Sequence, residues 1–336
     1  MFVNKINAEL LKKLLMTFGP SGNEEKIRKV IKEEIQEFAD EIKVDALGNL
    51  IAIKKGKGKR IMVASHMDEI GIMVTNIDDD GFLRFTNIGG VSPFMSLGQK
   101  VIFDDETIGV IGMEKLDDIK DLKLNKMFID VGLPSKEEVI KKINVGDVAS
   151  FYSPFIYQNE CIISKTLDDR IGCFVAIEAL KKLKDTPNEI YFVFTVQEEV
   201  GLRGAKTAAY GINPDLGIAI DVTLTGDTPK AEVMDVGLGK GAAIKVKDRS
   251  IIVSPKVKDL ITEVAVDNEI PFQYEILDAG GTDSGAIHLS RSGIPSGVIS
   301  IPCRYVHSPS EMVYISDVIN SIKLLIKVLE KEKINI

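Results

Sequence analysis

Histidine is scarce in this chain, and its scarcity makes each position informative. Among 336 residues there are three, His66, His288 and His307, so any site built on imidazole must use these. His66 opens the run His-Met-Asp, with Asp68 two residues on, and His307 closes the run Arg-Tyr-Val-His. Acids gather at three further points: Asp168-Asp169, Glu198-Glu199 and Asp221. Imidazole and carboxylate are good ligands for divalent zinc, cobalt or manganese, and one carboxylate can bridge two ions. His66, Asp168, Glu199, Asp221 and His307 supply the contacts that two cations need, provided Asp168 bridges. Asp68 is close enough to His66 to fix its tautomer. Glu198 stands beside a ligand and is free to act as general base on an activated water.

Taken singly, each residue has an ordinary explanation. Asp168 suits a helix N-cap, Glu198-Glu199 suits a solvated strand end, and a lone histidine is commonly satisfied by its neighbours. Asp221 is harder to dismiss, because it follows the apolar run Leu216 to Ile220, and a buried carboxylate needs a partner. Their shared placement favours chemistry. Strand patterns at Asn49–Ile53 and Arg60–Ala64 lead to His66, the apolar run Tyr191–Val196 leads to Glu198-Glu199, and SGVISI leads to His307. In open α/β sheets, ligands sit beyond the carboxyl ends of the strands.

The elements between these points alternate. Ser21 and Glu24 form a capping-box signature ahead of Ile27, Val30, Ile31 and Ile35 at helical spacing. Asp168–Leu183 reads as an amphipathic helix with Glu178, Lys181 and Lys182 toward water. Helices are expected from about Arg203, over Ser254–Asn268, over Thr282–Arg291 and over Ser316–Lys331, interleaved with strands. From Glu69 to Cys161 the pattern changes to short β-rich runs separated by Gly, Asp and Asn turns, with one helix-like piece from Ser135. The simplest organisation is one α/β domain, residues 1–68 plus 162–336, interrupted by a β-rich domain at 69–161.

Composition removes other classes. Lys+Arg is 42 against 50 Asp+Glu, a net charge of −8, which argues against a nucleic-acid partner. No apolar run is long enough to span a membrane, and the first residues lack a signal peptide's apolar segment. Cys161, Cys173 and Cys303 form no CxxC pair, so a reduced, cytoplasmic protein is expected. Gly237-Leu-Gly-Lys-Gly-Ala242 matches GxGxxA but precedes a strand pattern, not a helix, so it is no dinucleotide loop. Ser284, in Gly-Thr-Asp-Ser-Gly, lacks the nucleophile-elbow pattern. His288, inside a helix pattern, and the cysteines read as structural.

Six blocks in order, HMDEIG at His66, TLDDRIG at Thr166, VQEEVGLRGA at Val196, AIDVT at Ala219, AGGTDSGAIHLSRSGIPSGVISIP at Ala279 and RYVHSPSEM at Arg304, resemble the tetrahedral (TET) metallo-aminopeptidases, the M42 peptidases. The resemblance spans essentially the whole chain. It implies a zinc-exopeptidase-like catalytic domain, a mixed sheet flanked by helices, with an inserted β-rich dimerisation domain. It further implies a homo-oligomer, a tetrahedral dodecamer built from dimers, acting on peptides with a free N-terminus. Two divalent metal ions, zinc or cobalt, would be bound. One would take His66, Asp168 and Asp221, the other Asp168, Glu199 and His307, with Glu198 as base and Asp68 supporting His66. Three rivals stand beside this reading. A glycosidase on β-glucans could work with two carboxylates and no metal, but the chain has no Trp and only 6% aromatic residues to offer sugar platforms. An amidohydrolase or deacylase on N-acyl amino acids would share the metal site. A non-catalytic scaffold would have no need of Glu198.

Overall fold

The computed structural model describes residues 6–231 and 233–336. Helices α1 (Ala8–Met16) and α2 (Glu25–Ile35) precede strands β1 (Glu41–Val44), β2 (Leu50–Lys54) and β3 (Arg60–His66). A barrel follows, made of β4 (Gly71–Ile77), β5 (Leu83–Ile88), β6 (Lys100–Phe103), β7 (Ile108–Met113), β8 (Met127–Asp130) and β9 (Val148–Phe151). Short helices α3 (Pro93–Ser96) and α4 (Lys136–Val139) connect its strands. The chain then returns through β10 (Ile156–Gln158), β11 (Cys161–Ser164), α5 (Leu167–Lys182), β12 (Glu189–Thr195), α6 (Arg203–Ile212) and β13 (Leu216–Thr223). It finishes with β14 (Ala242–Lys247), α7 (Pro255–Asp267), β15 (Phe272–Ile276), α8 (Asp283–Ile287), β16 (Ser296–Arg304), β17 (Glu311–Tyr314) and α9 (Ile315–Leu329).

The large sheet runs β1-β2-β12-β3-β13-β16-β17-β11-β10, with β14 and β15 paired beyond β16. Its centre, β12, β3, β13 and β16, is parallel. Those strands are apolar on both faces because helices cover both. Along β3, Ile61 and Val63 join the core beneath α5, while Met62 and Ala64 join the core beneath α6 and α8, the two-residue alternation of a strand. Residues before the insertion therefore pair with strands from its far side, as expected. The barrel closes through β4 and β9 and has its own core around Phe85, Val101, Ile129 and Phe151. No helix among the described residues is long and apolar enough to cross a membrane.

Four local expectations need correction. The capping box does not form: α2 has no side-chain cap, Ser21 turns to Asp68, and Glu24 accepts N–H groups of Gly22 and Gln197. Helix α5 is not amphipathic but buried along most of its circumference, because α1, α2 and α9 enclose the side away from the sheet. The helix expected over Thr282–Arg291 is confined to Asp283–Ile287. Strand β10, grouped from sequence with the β-rich block, pairs instead with β11, which joins β17 in the large sheet.

Candidate metal centre

Parallel pairing brings the carboxyl ends of the central strands to one edge. His66 is the last residue of β3, in register with Thr195, the last of β12, so the loop carrying Glu198 and Glu199 starts beside it. Asp221 lies within β13, two residues before its end rather than at it. Several residues here adopt left-handed backbone conformations without being glycine: Thr166 (φ 62°), Gln197 (φ 55°), Leu202 (φ 57°), Tyr305 (φ 60°) and His307 (φ 61°). Each costs about 1 kcal/mol or more, and together they turn the flanking loops inward.

Asp168 is the centre of the arrangement. Its Oδ1 lies 3.0 Å from His66 Nε2, and its Oδ2 lies 3.2 Å from His307 Nε2. His307 Nε2 is also 3.3 Å from Glu199 Oε2. His66 Nε2 stands 4.0 Å from both Asp221 Oδ1 and Glu198 Oε2. Two triads of donor atoms result, His66-Asp168-Asp221 and Asp168-Glu199-His307, each compact enough to hold a metal ion and sharing Asp168. His66, Asp168 and Asp221 are all buried.

A second ring of contacts fixes these groups. His66 Nδ1 lies 3.2 Å from the Asp68 carbonyl oxygen and 3.6 Å from its carboxylate Oδ1. The same carboxylate accepts the N–H of Glu198 at 3.0 Å, the N–H of Glu199 at 3.2 Å and the hydroxyl of Ser21 at 2.6 Å. Asp68 thus positions the Glu198-Glu199 loop as well as the histidine. Gly90, in the loop after β5, packs so closely on His307 that a Cβ there would sit 2.5 Å from its Nδ1, so the barrel's own chain walls one side of the centre.

Burial opposes charge on every one of these groups. For Asp221, Glu198 and Glu199 it prevails, with neighbouring acids adding to it, and their pKa values lie above the usual carboxylate range. For Asp168 burial is outweighed by His307 and His66, which hold it below that range. Burial is likewise outweighed at His66 by Glu198, Asp168 and Asp68, and at His307 by Asp168 and Glu199, which push His307 up to about 12. More buried acid is present than imidazole can balance. Divalent cations fit that imbalance.

Several members of this network escaped the sequence reading. Glu311, buried on β17, accepts the N–H of Asp168 at 2.9 Å on one oxygen and the N–H of His307 at 2.8 Å on the other. Asp169 accepts the N–H groups of His66 and Gly172 and so caps α5, the role that suited Asp168. Asp283 accepts the hydroxyl of Thr195 at 2.5 Å. Glu69 binds Lys165 at 2.5 Å, Ser150 at 2.6 Å and Thr166 at 2.8 Å, tying the barrel to the turn before Asp168. Glu311 had one signal, an acid four residues beyond His307. His288 remains apart, its Nδ1 against the Ser284 carbonyl. Cys173 donates to the His66 carbonyl from behind.

A mixed sheet covered by helices, an inserted six-stranded barrel and acids with imidazoles at the sheet's carboxyl edge define a zinc-exopeptidase-like α/β fold. Residues 48–324 match the model of the M42 glutamyl aminopeptidase family, and the chain belongs to that family. It is 60% identical over 95% of its length, and 97% of the relative's, to a putative aminopeptidase of Acetivibrio thermocellus. Its structure superimposes on a TET aminopeptidase from a marine sediment Thaumarchaeota archaeon with TM-score 0.93 and 38% identity, covering 96% of each chain. A Pyrococcus horikoshii TET1 peptidase, described as able to assemble into a tetrahedron or a large octahedral shell, matches with TM-score 0.87 and 36% identity over 96% of this chain and 99% of that one. The chain is an aminopeptidase, a hydrolase of peptide bonds.

Proposed function

We propose that the chain is a metal-dependent aminopeptidase that removes N-terminal residues from peptides with a free amino group, using a two-metal centre and a glutamate base. The observation that carries this reading is Asp168, whose two oxygens face two different histidines. His66, Asp168 and Asp221 would hold one cation and Asp168, Glu199 and His307 the other, and zinc or cobalt suits the donors. When bound, such ions polarise a peptide carbonyl and acidify water. Glu198, with Oε2 4.0 Å from His66 Nε2, borders the cavity beside both triads without belonging to either. Its carboxylate takes the proton of the attacking water and returns it to the amine nitrogen as the C–N bond breaks. Burial, foremost, raises its pKa above the usual carboxylate range, the direction that suits a base which must also give its proton back. Asp68 supports the reaction by holding the backbone of Glu198 and Glu199.

Residues 1–68 with 162–336 form the catalytic unit in this reading, and 69–161 the dimerisation unit of a homo-oligomer, a tetrahedral dodecamer. Support comes from the assembly described for the Pyrococcus horikoshii relative and from apolar side chains exposed on and beside the barrel strands, Phe94, Met95, Ile108 and Val110. Three unpaired cysteines support a reducing, cytoplasmic location.

The test uses aminoacyl-nitroanilides, their N-acylated counterparts and soluble β-glucan, before and after chelation, with zinc or cobalt added back. Cleavage confined to free-amine substrates, lost on chelation and restored by metal, is expected. Glu198→Gln should keep its metal content and lose about a hundredfold or more in kcat. Full activity in chelator, or equal turnover of N-acyl substrates, overturns the reading.

A further inference from the structure

The cavity at the metal centre, about 530 Å³, extends from the histidines to a wall of Val222, Leu224, Leu277 and Val306. Lys245 lines it too, and apart from the histidines it is the single basic residue in that lining. A lone cation in a pocket beside a peptide-cleaving centre invites an acidic side chain. The surroundings of Lys245 argue otherwise.

Lys245 on β14 is in register with Glu275 on the parallel strand β15, so the two side chains share a face. Its ammonium donates to Glu275 and lies 3.2 Å from Asp248 Oδ2. Asp248 is fixed, because its Oδ1 accepts the N–H and hydroxyl of Ser250 and the N–H of Ile251 at 2.7, 2.8 and 2.9 Å. All three charged groups are buried, and neither carboxylate reaches the cavity lining. Among the described residues no other lysine, arginine or histidine pairs with Glu275 or Asp248. One ammonium therefore faces two carboxylates, which offset its charge from the side away from the cavity.

Resting on the aminopeptidase reading, we propose that this cavity takes an uncharged, aliphatic N-terminal side chain, and that Glu275 and Asp248 determine this preference by cancelling Lys245. An acidic side chain meets an ammonium already committed to two acids and gains little from it. A basic side chain meets that ammonium directly, with the carboxylates behind it. An aliphatic side chain fills the apolar wall and disturbs neither.

The experiment compares kcat/KM for leucyl-, methionyl-, glutamyl- and lysyl-nitroanilides on the metal-loaded oligomer. Leucyl and methionyl substrates should exceed the charged ones by about tenfold or more. Glu275→Gln, equal in volume, frees the ammonium and should raise the glutamyl-to-leucyl ratio roughly tenfold. Asp248→Asn, whose oxygen can keep its backbone donors, should shift the ratio the same way. A ratio of substrates on one preparation does not depend on the fraction of folded enzyme. Preference for glutamyl or lysyl substrates in the unaltered protein, or an unchanged ratio in both variants, overturns the inference while leaving the aminopeptidase reading intact. Failure to cleave any of the four overturns both.

Discussion

Glu311 offers the sharpest test of how the centre is held, because a single carboxylate grips both sides of it. One oxygen receives the N–H of Asp168 and the other the N–H of His307. Glu311→Gln preserves shape but replaces one acceptor with an NH2 group facing an N–H donor. A hydrogen bond to a charged group is worth about 1.5–3 kcal/mol, and stranding a buried donor costs about 1–3 kcal/mol more. The variant therefore places about 3–5 kcal/mol against the present position of Asp168 or His307. His307, already in a left-handed conformation, has the most to gain from relaxing. If about 3 kcal/mol of this strain falls on cation binding, affinity at the Glu199-His307 side drops over a hundredfold. Burial and Asp168 raise the pKa of Glu311, while the two N–H donors favour its charged form. Each oxygen of Glu311 accepts an N–H, and the amide nitrogen of Gln cannot. Calorimetric titration of the metal-free variant, with metal analysis after gel filtration, reads both stoichiometry and affinity. Two cations bound as tightly as in the unaltered chain would refute the argument, because Glu311 would then not set either ligand's position.

Two further predictions concern charge. Against burial, the neighbouring acids raise the pKa of His66 and of His307, the latter to about 12, so each holds its proton more firmly than a free imidazole, and a ligating imidazole must lose it. Metal binding should thus release protons and weaken as pH falls through neutrality; calorimetry in buffers of different ionisation enthalpy measures this, and constant affinity from about pH 6 to 8 contradicts it. Lys165→Met leaves buried Glu69 without its 2.5 Å partner, a loss that typically costs about 3–5 kcal/mol. Arg170 at 3.6 Å and the hydroxyls of Ser150 and Thr166 remain, so the lower end is expected in denaturant unfolding, and a change under about 1 kcal/mol would show the pair to be dispensable.

What the sequence reveals and what it hides follow from one physical distinction. Parallel strands in register must end together, so residues just past the apolar runs of β3, β12, β13 and β16 converge whatever fills the rest of the chain. His66, Glu198, Glu199, Asp221 and His307 could be gathered on that ground alone. Hydrogen bonds between side chains and distant backbone obey no such rule. Ser21 and Glu24 carry a local capping signal, yet the carboxylate of Asp68 and the N–H of Gln197 offer them partners that no local pattern encodes. Asp169 takes the capping role at α5 because Asp168 is drawn away between two histidines. The same contrast applies to α5, where helical spacing was legible but the enclosure of its far side by α1, α2 and α9 was not. Likewise Lys245 reads from sequence as one more cation in a strand, and only its register against Glu275 and the turn that fixes Asp248 commit it to two buried acids. Strand ends place the candidate ligands; the selectivity of a site depends on contacts that appear only after the chain has closed around it.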